Sequence, residues 1–150
     1  MQRQRGFTMI ELLAVLALVA AIMAMAASVM WRKLPGQRLQ QSAKELVAQL
    51  RYTRAQAIAT GEPQVFTLDA NSREWRAGEK RRGQLAKDIA IVATGARNEQ
   101  QQRPGVAAVR FFPEGAATGG RFVLRNGRVA WQVDVQWLTG EVSLARTTPP

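Results

Sequence analysis

The chain has 150 residues, with 21 lysines and arginines against 11 acids, a formal net charge of +10, and neither cysteine nor histidine. Disulfide bracing and thiol chemistry are excluded, and the commonest general base and metal ligand is missing. With an apolar N-terminal segment set aside, the remaining length suffices for one modest domain and not two.

Met1 to Gly6 form a short basic leader. From Leu12 to Trp31 every side chain is apolar except Ser28, and Glu11 is the one ionisable residue in the apolar run. About 20 residues at roughly 1.5 Å each match a hydrocarbon core of roughly 30 Å. Arg3 and Arg5 on one side and Arg32 and Lys33 on the other barely fix the orientation by charge. The leader places the obvious processing site before the apolar region, while small residues from Ala24 to Ser28 offer a conventional signal-peptide cut as the alternative. A carboxylate costs about 2.5–3.5 kcal/mol at a bilayer centre and requires a cationic partner there. Glu11 also suits the first turn of a helix, where the macrodipole favours negative charge.

Leu34-Pro35-Gly36 predicts a kink or short break, because proline lacks a backbone donor and clashes with the preceding turn. Helical periodicity resumes from about Gln37, with Leu39, Ala43, Leu46, Val47, Leu50, Ala57 and Ile58 on one stripe. Arg38, Lys44, Glu45, Arg51 and Gln56 lie largely elsewhere, and Gly61 followed by Pro63 supplies the stop.

From Gln64 the period changes to two. Gln64 to Asp69 and Glu74 to Ala77 read as a hairpin around Ala70-Asn71-Ser72, followed by a solvated turn from Gly78 to Gly83. Leu85 to Ala93 reads as a strand with Ile89 and Ile91 inward, and the polar stretch Asn98 to Gly105 as a mobile loop. Val106 to Phe112 is the next strand. Arg121 to Arg125 and Arg128 to Trp137 flank Asn126-Gly127, a tight-turn signal with positive φ expected at both residues. Val129, Trp131, Val133, Val135 and Trp137 alternate onto one face expected to be buried. Glu141 to Ala145 is the last strand, before a frayed tail from Thr147 to Pro150. In the loop of Phe112, Pro113, Glu114, Gly115, Gly119 and Gly120, the proline fixes a turn and the glycines permit special backbone angles. Such a loop either connects two strands or touches a neighbour.

No catalytic residues are expected. Asp69, Asp88 and Asp134 stand apart in sequence, and neither a phosphate-binding glycine loop nor a calcium loop occurs, so no cofactor and no metal is expected. Arg121, Arg125 and Arg128 gather on one hairpin, with Arg103 and Arg110 nearby in sequence, as a candidate anion-binding group. Arginines spread along a strand serve equally as a solubilising face.

Arg5-Gly6-Phe7-Thr8-Met9-Ile10-Glu11-Leu12-Leu13 resembles the processing motif shared by type IV pilins and type II secretion pseudopilins. The resemblance implies that a prepilin peptidase cuts after Gly6, that Phe7 is then N-methylated, and that Glu11 neutralises the amino terminus of Phe7 in a neighbouring subunit during assembly. Phe111-Phe112-Pro113-Glu114-Gly115-Ala116-Ala117-Thr118-Gly119-Gly120 and Trp137-Leu138-Thr139-Gly140-Glu141-Val142 are similar to stretches of the GspH/FimT family, although Glu141 stands where a basic residue is common there.

The family likeness implies an α+β, type IV pilin-like fold, a long N-terminal helix, membrane-spanning in its first half, packed on a C-terminal antiparallel β-sheet domain. Residues 1–6 would be the leader, 7–31 the transmembrane and assembly helix, 32–61 its amphipathic continuation and 62–150 a periplasmic β-rich domain. The implied function is that of a non-enzymatic minor pseudopilin, held in the inner membrane by a single pass and sited at or near the tip of a periplasmic pseudopilus. Its implied partners are other minor pseudopilins, the major pseudopilin, the prepilin peptidase, the inner-membrane assembly platform and membrane lipid. The alternative is a FimT-like minor pilin that binds DNA during natural transformation. Nucleic acid is the weaker reading, because the aromatic residues sit at buried parity instead of interleaving with the basic ones.

Overall fold

The computed structural model describes residues 8–95 and 105–148, with side chains over 8–26, 36–94 and 105–148. The chain divides into two units, Met1–Pro35 and Gly36–Pro150. One helix, α1 (Met9–Thr60), contributes to both. Thr8 caps it, since the Glu11 amide donates to the Thr8 Oγ1 at 3.3 Å and to the Thr8 carbonyl at 3.1 Å, satisfying a donor that a helix start leaves free. Met9–Ala26 is long and apolar enough to cross a membrane, and none of it is buried within the structure.

Of the kink or short break expected at Leu34-Pro35-Gly36, the break does not occur, since α1 continues through these residues. Proline removes only one donor from the ladder, and long helical flanks on either side carry the conformation across. Leu39, Ala43, Leu46, Val47, Leu50 and Ala57 are buried as the periodicity predicts. Ile58, assigned to the same stripe, is instead 50 % exposed. The helix stops at Gly61, which adopts φ +69°.

The second unit contains two four-stranded antiparallel sheets where the sequence suggested one. The first runs β3-β2-β1-β5, with β1 Gln64–Asp69, β2 Glu74–Ala77, β3 Arg81–Gln84 and β5 Val106–Phe111. The second runs β4-β6-β7-β8, with β4 Ala90–Gly95, β6 Gly120–Asn126, β7 Val129–Val135 and β8 Val142–Thr147. The β1–β2 hairpin has the limits read from its alternation, and the Asp69 carboxylate closes it by accepting from the Asn71 amide at 2.8 Å.

Several boundaries differ from the sequence reading. The basic stretch expected to be a solvated turn supplies β3, paired with β2 so that Gly83 faces Trp75. A Cβ there would collide with the indole, so glycine lets this edge strand lie over the ring. Arg81 also stacks its guanidinium 4.3 Å from the centre of the Tyr52 ring on α1, a cation–π contact. Leu85 and Ile89 are buried but precede the strand, which begins at Ala90. The β6–β7 turn is centred one residue later than expected. Asn126 pairs with Val129, Gly127 has φ +57°, and Gly127-Arg128 form the two-residue loop. Only the first central residue is left-handed, as in turns with glycine in that place. The last strand continues to Thr147, which pairs with Ala130. Of the polar loop Asn98 to Gly105, all but Gly105 lies outside the described residues, as do Pro149 and Pro150 at the end of the expected tail.

One hydrophobic cluster joins α1 to the inner faces of both sheets. Phe66 of β1 and Phe122 of β6 meet edge to face with ring centres 6.1 Å apart, and Trp75 stacks on Phe66 with centres 6.4 Å apart. Phe122 is fully buried. Truncation to Ala is expected to cost about 3–5 kcal/mol through lost transfer energy and a residual cavity between the sheets, to be measured by denaturant unfolding.

Candidate functional site

Two loops distant in sequence are built into one junction at the end of the second unit. After β5, the Gly115 amide donates to the Phe112 carbonyl and the Phe112 amide to the Ala116 carbonyl, both at 2.9 Å. Pro113 suits this tight turn, and Gly115 takes φ +90°, a region costly for residues with a Cβ. The chain then folds back along β5, since Arg110 N donates to Thr118 Oγ1 at 3.1 Å and Thr118 N to Arg110 O at 2.9 Å.

After β7, the Gln136 amide donates to the Glu141 carbonyl at 2.9 Å and the Gly140 amide to the Gln136 carbonyl at 2.8 Å. This turn pulls the chain out of the strand after Val135. Trp137, expected on the buried face, is therefore 67 % exposed, and Leu138 is 66 % exposed beside it.

The two loops touch directly. The Ala117 amide donates to the Trp137 carbonyl at 2.8 Å. Gly140, at φ +62°, lies so close to the Gly115 carbonyl oxygen that a Cβ on it would overlap that atom. Helix α1 fastens both loops. Arg54 donates Nε–H to the Gly115 carbonyl at 3.0 Å, and Arg51 donates from Nη2 to the Val142 carbonyl at 2.9 Å. Residues three apart share a helix face, and hydrogen bonds from a charged donor are the stronger kind. The sequence reading placed Arg51 off the apolar stripe and gave Arg54 no role. Their signal was two arginines at i and i+3 bordering that stripe. Ile58 reaches the same place, its Cδ1 3.6 Å from where a Cβ on Gly115 would stand. Glu114 and Glu141, the chain neighbours of the touching glycines, are both exposed.

The other candidates are dispersed. Gly6 and Phe7 lie outside the described residues, and Glu11 is exposed in the first turn of α1. Arg121 donates Nε–H to the Asp134 carboxylate at 2.6 Å, and Gln132 also donates to that carboxylate. An exposed pair of this kind contributes about 0–1 kcal/mol, but it supplies Arg121 with its own anion. Arg125 lies four residues further along β6 and Arg128 in the turn, while Arg110 belongs to the other sheet. Arg103 lies outside the described residues. Among the described residues no group of three acids could hold a metal ion.

Comparison with known proteins adds sequence relatives to this geometry. A family model described as type II transport protein GspH matches residues 42–140, and one for the prokaryotic N-terminal methylation motif matches residues 1–27. Type II secretion system protein H of Xanthomonas campestris pv. campestris is 44 % identical over 138 residues, which cover 92 % of this chain and 81 % of that protein. Among solved structures, the type IV minor pilin FimU of Pseudomonas aeruginosa aligns with a TM-score of 0.60 and 15 % identity over 77 % of this chain and 95 % of its own. The minor pseudopilin EpsH of the Vibrio cholerae type 2 secretion system aligns with a TM-score of 0.57 and 14 % identity over 73 % of this chain and 97 % of its own. At such identities the likeness establishes the pilin-like α+β fold, which a pilus protein and a secretion protein share.

Proposed function

The chain belongs to the GspH family of type II transport proteins, and from that membership we propose how it works as a minor pseudopilin of a type II secretion system. The observation that carries the reading is the 44 % identity to a type II secretion protein H along almost the whole chain, since the fold alone does not separate secretion from pilus assembly. The N-terminal methylation motif supports cleavage after Gly6 and methylation of Phe7. The apolar start of α1 then holds the subunit in the inner membrane, with the two-sheet unit in the periplasm.

Assembly draws the helix out of lipid into a filament. Hydrocarbon tails are as apolar as leucine, so van der Waals packing and polar pairing must supply the specificity at that step. Glu11 pairs there with the free amino group of Phe7 on a neighbouring subunit. The subunit sits at or near the filament tip, among other minor pseudopilins and above the major one.

The test is complementation of a secretion-defective strain lacking its own protein H, with mass spectrometry of the mature chain. The expected result is restored export and a mature protein starting at N-methylated Phe7. A chain that retains its first six residues, or that restores no export, overturns the reading.

A further inference from the structure

We propose that Asn126 is a site at which the chain modifies itself, its side-chain amide being displaced by the backbone nitrogen of Gly127, and that a hydrogen bond to Asp88 sets the rate. The modification belongs to the β6–β7 turn alone and does not depend on the secretion reading above.

Two conditions for this reaction meet at the turn. The attacking nitrogen must be free and unshielded. In a two-residue loop the ladder bonds run between the flanking residues, here Asn126 and Val129, so the Gly127 amide has no partner in the ladder. Among the described residues it makes no other backbone hydrogen bond. Gly127 carries no side chain, and nothing stands within 4 Å of the place a Cβ would take. The nitrogen must also give up its proton, and positive charge nearby favours the resulting anion. Arg125 and Arg128 flank Asn126 in the chain and are both exposed, and the ion pair found among the described residues engages Arg121 instead.

Asp88 opposes the reaction. Asn126 donates from Nδ2 to Asp88 Oδ2 at 2.9 Å, and Asp88 lies in the turn that leads into β4. A carboxamide held by a neighbouring segment is not free to fold onto its own main chain, so each opening of this bond is a chance to react. The Gly127 nitrogen then forms a bond to Cγ of Asn126, the Cγ–Nδ2 bond breaks, and ammonia leaves with the proton given up by the Gly127 amide. Water opens the cyclic imide at either carbonyl. One opening yields aspartate. The other yields isoaspartate, in which the main chain passes through Cβ and Cγ. An extra main-chain atom at the border of a two-residue loop breaks the pairing of Asn126 with Val129. Either product also brings a carboxylate to Asp88 where an amide had donated, and like charges at such a distance repel.

The test incubates the purified full chain in detergent at mildly alkaline pH and follows its three asparagines by peptide mass spectrometry, with enzymatic methylation of isoaspartate as a second readout. Asn71 precedes Ser72 and Asn98 precedes Glu99, so these two report the background. The expected result is conversion of Asn126 about tenfold faster than either, to a mixture of aspartate and isoaspartate. Gly127→Ala should slow it about tenfold by shielding the nitrogen. Asp88→Ala should speed it about two- to tenfold, with Asn71 unchanged. Equal rates at the three asparagines, no slowing in Gly127→Ala, or aspartate without isoaspartate, the mark of direct attack by water, overturns the proposal. So does an Asp88→Ala rate no faster than the wild type's, or one raised equally at Asn71, the mark of a lost fold in place of a released side chain.

Discussion

Gly140→Ala is expected to destabilise the second unit by about 3–5 kcal/mol, a loss without a compensating contact. Two costs combine. The residue sits at φ +62°, where a Cβ costs roughly 1–2 kcal/mol. The added carbon would also overlap the Gly115 carbonyl oxygen and lie 2.9 Å from the Arg54 Nε, displacing a hydrogen bond from a charged donor that contributes about 1.5–3 kcal/mol. Gly127→Ala is the control. It has nearly the same angle, φ +57°, but nothing stands within 4 Å of its new carbon, so only the backbone cost of roughly 1–2 kcal/mol applies. Denaturant unfolding of both variants measures the difference. Equal losses would mean that the contact between the two loops carries no stability.

Glu11→Ala is expected to leave cleavage after Gly6 intact and to lower export about tenfold or more, as loss of a charge partner in low dielectric implies. Its effect on the helix itself should be small. Thr8 caps the N-terminus through its own hydroxyl, and an acid in an exposed first turn contributes only about 0.3–1 kcal/mol. Mass spectrometry of the N-terminus and an export assay on the same cells separate the two roles. A variant that exports normally would reduce Glu11 to a residue that merely favours the start of a helix.

Most of the core was legible because it depends on periodicity. The stripe from Leu39 to Ala57 and the alternation in β1 and β2 each report one buried face, whereas in β7 Val133 and Val135 are buried, Val129 and Trp131 are half-buried and Ala130, of the opposite parity, is fully buried. What escaped depends on how separate stretches meet. Trp137 continued the alternation of β7 in sequence, but hydrogen bonds among Gln136, Gly140 and Glu141 turn the chain away first. The strand at Arg81–Gln84 was hidden because its pattern is charged, and it forms by pairing with β2 and by placing glycine over Trp75. The loop residues from Phe112 to Gly120 and from Trp137 to Val142 could be marked as special from their glycines and proline. Their mutual contact and the clamp by Arg51 and Arg54 could not, because nothing local encodes a neighbour 60 or 90 residues away.

The pairing at β3 has a further result at the border of the first sheet. The outermost ribbon of the first sheet is four residues long, begins with two adjacent guanidinium groups, and sets Arg82 directly across from Arg76. A stray extended segment approaching that border would meet crowded positive charge and too short a ladder to hold it. Backbone pairing with another chain along that border is thereby disfavoured.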